Sequence, residues 1–173
     1  MATRVAEKTE RDPKPDRARM LHQLLKLTNV LMTPFSTHLA DRYKISLNEF
    51  RLLMTIGSLG ATASHELAEM TGVNVMSVSR AVATMERNGR ISVTTDPANR
   101  RRKVLTLTEE GHRLYDIMRP QSHKVAEYLF SELDLDDVTA LDRILDKLID
   151  TLEARDEQGR SRFIEETKPK EGG

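Results

Sequence analysis

The 173-residue sequence predicts a mainly α-helical fold with one small β-hairpin. Three observations carry that reading. Apolar residues recur every three to four positions over most of the chain, the period of amphipathic helices. The period falls to two only around Ile91 to Thr94 and Val104 to Leu107, on either side of a polar, arginine-rich turn. Ser, Thr, Asn or Asp precedes the helical runs, and Gly follows several of them, as helix ends require. Hydrophobic residues make up 38% of the chain, enough for a core. No apolar run approaches the roughly twenty residues of a membrane-spanning helix, so a soluble cytoplasmic protein is expected. Cysteine is absent, which removes disulfides, thiol nucleophiles, cysteine zinc sites and thiol redox sensing.

Residues 1–16 are polar, lack periodicity and hold Pro13 and Pro15, so a disordered arm is expected; residues 153–173 are expected to form a charged disordered tail. A single unit over 17–152 lies between them. Its first stretch sets Leu21, Leu24, Leu25, Thr28, Leu31, Met32, Phe35 and Leu39 at helical spacing, with Pro34 expected to kink or divide it near Thr33. Ile45-Ser46-Leu47-Asn48-Glu49-Phe50 reads as a capping box with a hydrophobic staple. The helix it starts is expected to run through Ile56 and end at Gly57 and Gly60. A short helix from about His65 to Met70 follows behind Ser64 and stops at Gly72. A longer one from Val75 to Arg87 stops at Asn88-Gly89.

The two period-two stretches form the hairpin, joined by Asp96-Pro97-Ala98-Asn99-Arg100-Arg101-Arg102. Thr108 caps the next helix, whose first turn holds Glu109 and Glu110, favourable at the positive end of the helix dipole. It is expected to reach Leu133, bending at Pro120. The last helix opens behind Asp134 and keeps Val138, Leu141, Leu145, Leu148 and Leu152 on one face. That stripe has little left to cover in so small a unit. Together with the first helix it suggests packing against a second copy, giving dimerisation helices at about 17–42 and 109–152 around a central region at about 46–108.

Within that central region Ala68 is small where two helices cross, Gly72 supplies the turn, and Val78 anchors the second helix. This is helix-turn-helix spacing, which an ordinary helical hairpin also matches. The wheel of the second helix separates the two. At about 100° per residue, Val75, Val78, Ala81, Val82 and Met85 cluster on one side, and Met76, Ser77, Arg80, Ala83, Thr84 and Arg87 on the other. The outer face carries hydroxyls and two arginines but no acid, which suits a major groove. Asn74, Ser77 and Arg80 are the leading candidates for base-edge or phosphate contact, with Met76, Ser79, Thr84 and Arg87 beside them. Arg100, Arg101, Arg102 and Lys103 then form a basic wing, placed to lie along the DNA backbone and reach a minor groove. From Ser64 to Thr108 seven basic residues face four acidic ones, a net of +3; from Ser131 to Glu157 three basic face ten acidic, a net of -7. The 27 basic and 27 acidic residues of the whole chain thus hide a dipolar molecule.

These residues resemble the MarR family of winged helix-turn-helix regulators over about Leu21 to Leu152. The resemblance is carried by Leu67-Ala68-Glu69-Met70-Thr71-Gly72, Ser77-Val78-Ser79-Arg80, Met85-Glu86-Arg87-Asn88-Gly89, Asp96-Pro97-Ala98-Asn99-Arg100-Arg101 and Leu107-Thr108-Glu109-Glu110-Gly111. It implies a winged helix-turn-helix with a helical dimerisation region, and a homodimer whose recognition helices enter successive major grooves of a pseudo-palindrome, about 34 Å apart. The chain departs from the family at Asn99, where an acid usually precedes the paired wing arginines; Arg101 is the arginine expected to enter the groove.

The resemblance also implies a repressor released by a small aromatic or heteroaromatic carboxylic acid bound between the dimerisation helices and the winged region. His22, His38, Arg51 and Tyr115 are the candidate contacts, Arg51 for the carboxylate. No cofactor is expected. Metal sensing has little to stand on, since His112 and Asp116 make only half a site. No phosphate loop, His-Glu metal motif or Ser/His/Asp grouping points to an enzyme. The alternatives are a helical dimer that binds protein, and a regulator that no small ligand gates.

Overall fold

The computed structural model describes residues 16–100 and 102–169. The expected N-terminal arm, apart from Asp16, lies outside the described residues. Asp16 Oδ1 accepts the amides of Ala18 and Arg19 at 2.9 and 3.2 Å and opens α1 (Arg17–Leu31). Pro34 sits in the first turn of the next helix, where its missing N–H leaves no bond unmade. The predicted division therefore falls at Met32. α2 (Thr33–Phe35), a π-helical turn (Ser36–Ala40) and α3 (Asp41–Tyr43) continue the chain to Lys44, which turns it at φ 48°.

α4 (Leu47–Leu59) begins at the predicted capping box: Ser46 Oγ accepts the Glu49 amide at 3.3 Å, and Glu49 Oε2 accepts the Ser46 amide at 2.9 Å. Ile45 is buried, and the Phe50 ring lies 4.7 Å from that of Phe35. The helix passes through Gly57 and ends at Gly60, which takes φ 83°. Gly57 is not a stop but a close approach, since a Cβ there would strike the Tyr115 ring.

α5 (Ser64–Thr71) starts one residue earlier than expected, behind Ala63 rather than Ser64. Ala63 has no side-chain acceptor, and the turn is held from the other side by Glu66, whose Oε2 accepts the Ala63 amide at 2.8 Å. Gly72, in the left-handed region, separates α5 from α6 (Val75–Arg87), which Asn74 caps. β1 (Ile91–Thr95) and β2 (Lys103–Leu107) pair antiparallel with Ile91 opposite Leu107. Thr62, just ahead of α5, joins the outer edge of β2 through Leu105 in both directions, at 3.1 and 2.7 Å. Thr108 Oγ1 accepts the Gly111 amide at 3.1 Å and starts α7 (Glu109–Leu129), which keeps Pro120 inside it and ends four residues before the expected Leu133.

The described residues form two compact units that divide between Val125 and Ala126. The core of the first joins Leu52, Leu53 and Ile56 of α4, Leu67 of α5, Val78 and Met85 of α6, Leu105 of β2, and Leu114 and Met118 of α7. It also encloses an ion pair. Arg90 Nη1 donates to Glu49 Oε1 at 3.1 Å, and Nη2 donates to the carbonyls of Tyr43 and Lys44 at 2.9 Å each, so every charge removed from water here has partners. Arg90, counted above with the basic region, is buried and holds the fold.

The second unit carries α8 (Leu135–Glu153), capped by Asp134, and α9 (Arg162–Glu166), capped by Ser161. Residues 153–169, expected to lack structure, hold a tight turn. Asp156 accepts the amides of Gln158 and Arg160 at 2.9 Å each, Gly159 takes φ 77°, and Arg155 bridges to Ser161 before α9.

Candidate nucleic-acid interface

α6 presents two faces because its sequence alternates them at helical spacing. Val78, Ala81 and Met85 are buried against α4 and α5, while Asn74, Met76, Ser79, Arg80 and Arg87 are exposed and Ser77 and Thr84 are half-buried. The outer face holds no acid. Each of its arginines is staged by a hydroxyl one turn earlier: Arg80 Nη2 donates to Ser77 Oγ and Arg87 Nη2 to Thr84 Oγ1, both at 3.3 Å. Such long bonds orient a guanidinium while leaving most of its donors for a partner. Asn74 Oδ1 is committed to the Ser77 amide at 2.9 Å, so its amide hydrogens are the part of that side chain left to read a base edge.

Val75 was expected on the core side, and the structure moves it. It is 68% exposed, beside Met76 at 70%. At the first helical position no following turn of α6 and no facing element covers it. Two exposed apolar side chains at the start of this helix are a feature the wheel misassigned, although Val75 directly follows the capping Asn74.

The wing turn is closed by Asp96. Its amide donates to the Arg102 carbonyl at 3.0 Å, its carbonyl accepts the Asn99 amide at 3.2 Å, and its Oδ1 accepts the Ala98 amide at 2.8 Å. Arg100 and Lys103 are exposed, Lys103 Nζ donating to Thr95 Oγ1 at 2.9 Å. Arg101, expected to enter the minor groove, lies outside the described residues. Arg102 differs from its neighbours. It is half-buried, with Nη2 at 2.5 Å from Glu66 Oε1 and Nη1 at 3.3 Å from Asp96 Oδ2. The Ala63 amide, the Thr62 hydroxyl and Arg102 hold the Glu66 carboxyl down at about 2. The Asp96 carboxyl is lowered by the Ala98 amide and then by Arg102, and the Arg102 guanidinium is raised in turn, chiefly by Glu66. An open groove between α5, α6 and the base of the wing has His65, Val75, Ser79, Asn99 and Lys103 among its lining residues.

The four candidate effector contacts fall on four elements. His22 on α1 and His38 in the π-helical turn are exposed; Arg51 on α4 and Tyr115 on α7 are half-buried. The Tyr115 ring packs closely against α4 at Gly57, which makes it part of helix packing. None of the four lines the groove beside the wing or the smaller one between α4 and α6. Among the described residues no three His, Asp or Glu side chains group as a metal site would require.

A helix-turn-helix whose second helix is exposed on an acid-free face, followed by a basic two-stranded wing, defines a winged-helix DNA-binding protein. Residues 45–103 match the model of the MarR family. Over that stretch, which holds the helix-turn-helix and most of the wing, the chain is similar to the transcriptional regulators of that family. Over 103 residues it is 27% identical to the HTH-type transcriptional repressor NicR of Pseudomonas putida, spanning 60% of this chain and 65% of NicR. Its fold is similar to that of Bordetella bronchiseptica BpsR, whose DNA binding is regulated by 6-hydroxynicotinic acid. That likeness has a TM-score of 0.65 at 22% identity and covers 75% of this chain and 98% of BpsR. The fold is also similar to a mutant Escherichia coli MarR complexed with operator DNA, with a TM-score of 0.61 at 18% identity over 76% of this chain and 91% of that one.

Proposed function

We propose that the protein is a cytoplasmic homodimeric repressor that binds a pseudo-palindromic operator and releases it when a small aromatic or heteroaromatic carboxylic acid binds. The observation that carries the DNA reading is the outer face of α6, where Arg80 and Arg87 stand among small and hydroxylic side chains without an acid. Asn74, Met76, Ser77, Ser79, Arg80, Thr84 and Arg87 meet the major groove. Arg100 and Lys103 follow the backbone, Arg101 is the arginine that enters the minor groove, and Arg80 and Arg87 also neutralise phosphates.

Dimerisation is supported by two helices, α1 and α8, in which no residue is fully buried. α1 leaves Leu21, Leu25 and Val30 more than half exposed, and α8 leaves Ile144, Leu145, Leu148, Ile149 and Leu152 at 41–51%. Stripes this long on a monomer are paid back by a second copy. The effector class is supported by the likeness to BpsR and its 6-hydroxynicotinic acid.

Selection of duplexes from a random 30-bp library, followed by titration against salt, tests the DNA reading. A specific site, bound with affinity that falls steeply as salt rises, is expected; no enrichment would leave the helical protein-binding dimer as the better account. Benzoate-, hydroxycinnamate- and nicotinate-type acids are then added to the complex. Release by one class is expected, and indifference to all would mean a regulator without this gate.

A further inference from the structure

We propose that Arg102 is a positioning residue: clamped between Glu66 and Asp96, it fixes the wing against the helix-turn-helix rather than touching DNA itself. The proposal rests on the reading of the chain as a DNA-binding protein and assigns the described wing cations two different tasks.

The geometry converges on one short segment. Glu66 gathers three donors, the Ala63 amide at 2.8 Å, the Thr62 hydroxyl at 2.9 Å and the Arg102 guanidinium at 2.5 Å. Thr62 is simultaneously zipped to β2 through the backbone of Leu105. Main chain and side chain of the wing base therefore both end on residues 62–66, the entry to α5. At its other edge Arg102 reaches Asp96, and those two residues also bond through their backbones across the mouth of the turn. A two-stranded hairpin is marginally stable alone. This one acquires a third pairing at Leu105 and a charge-assisted tie at Arg102. What the tie fixes is the direction of the wing tip, where Arg100 stands exposed.

Electrostatics separates this assignment from the simpler one. Glu66 is an acid beside a surface that meets phosphate, so as a bystander its removal strengthens DNA binding; as half of a clamp its removal weakens it. Glu66→Gln keeps an acceptor for the Ala63 amide and the Thr62 hydroxyl, so α5 retains its start while Arg102 loses its charged partner.

Three proteins test the proposal: Glu66→Gln, Arg102→Gln and the double variant, each checked by thermal unfolding for a folded chain. In the free protein, amide exchange of residues 96–103 is expected to quicken about tenfold in each single variant. On the 30-bp duplex enriched by the wild type, each single variant is expected to bind about tenfold more weakly, and the double variant no worse than either. The salt dependence stays that of the wild type, because no phosphate contact has gone. The proposal is overturned if wing exchange is unchanged, if Glu66→Gln binds as tightly as the wild type or tighter, or if Arg102→Gln lowers the salt slope by about 0.9 with effects that add. A wild type that enriches no duplex is a different result: it removes the DNA reading and, with it, anything for the wing to be positioned for.

Discussion

α6 and α8 are both amphipathic helices with apolar residues on one face, and the structure treats them oppositely. α6 buries Val78, Ala81 and Met85 at 1%, 6% and 0% exposure inside its own unit. α8, six residues longer, buries none of its side chains. Their polar residues differ as well: the outer face of α6 carries arginines and hydroxyls without an acid, while α8 carries Asp136, Asp137, Asp142, Asp146 and Asp150 with only Arg143 and Lys147 to offset them. An apolar stripe states that a helix has a partner but not in which chain the partner lies, and the charge opposite that stripe states what the other side can meet. α6 buries its apolar stripe within its own unit and leaves an acid-free face outside; α8 leaves its apolar stripe exposed and carries mostly acids beside it.

The sharpest way to break this contrast is to truncate equivalent apolar positions. Met85→Ala removes a fully buried side chain and is expected to destabilise the protein by about 2 to 5 kcal/mol at any protein concentration, as read by urea unfolding. Leu148→Ala on α8 is expected to lower stability only where dimers form, so its effect shrinks on dilution. Equal, concentration-independent losses in both variants would show that α8 packs within its own chain.

Next in size is dissociation. Leu145→Asp with Leu148→Asp places two charges in the stripe, and sedimentation is expected to show monomers. Duplex affinity should fall by about 100-fold as the second half-site is lost. A dimer surviving this change would place the interface elsewhere.

On α6, Arg80→Ala is expected to weaken binding of the selected duplex by about 1 to 3 kcal/mol while leaving unfolding unchanged. The smallest effect is a dependence on pH. The Glu66 carboxyl is held at about 2 against an ordinary 4.5, so its ties stabilise the folded state fully above about pH 4.5 and lose that contribution as pH falls through about 2. The stability gap between wild type and Glu66→Gln, measured by thermal unfolding, is expected to be constant from pH 7 to 5 and to narrow at pH 4 and 3. A gap unchanged at pH 3 would remove Arg102 and its neighbours as the cause.

What could be read without coordinates was mostly local. The Ser46–Glu49 capping box, the bounds of α6 and the hairpin follow from neighbours three or four residues apart or from alternation. What escaped was non-local. Arg90 looked like part of the basic surface because its partner, Glu49, lies 41 residues earlier in the chain. The tie between Arg102 and Glu66 likewise has no local signature, because the two lie 36 residues apart. Gly57 resembled a stop until α7 brought Tyr115 against it. The net of +3 over residues 64–108 therefore overstates the local charge by one, because Arg90 is neutralised by Glu49 from outside that stretch, whereas the partners of Arg102, Glu66 and Asp96, are already in the count. The opposite error occurred after residue 153, where a polar composition concealed a turn built by Asp156 from side-chain bonds to its own backbone. The candidate effector contacts His22, His38, Arg51 and Tyr115 lie on four different elements, and no local pattern in the sequence ties them together.

Hydrogen exchange of the wild type with and without the selected 30-bp duplex tests the central claim most directly. Slowed exchange in residues 74–87 and 96–103, with residues 135–153 unaffected, is the result expected of a protein that reads DNA with α6 and its wing. Protection concentrated on α8, or an α6 that exchanges equally with and without the duplex, would contradict it.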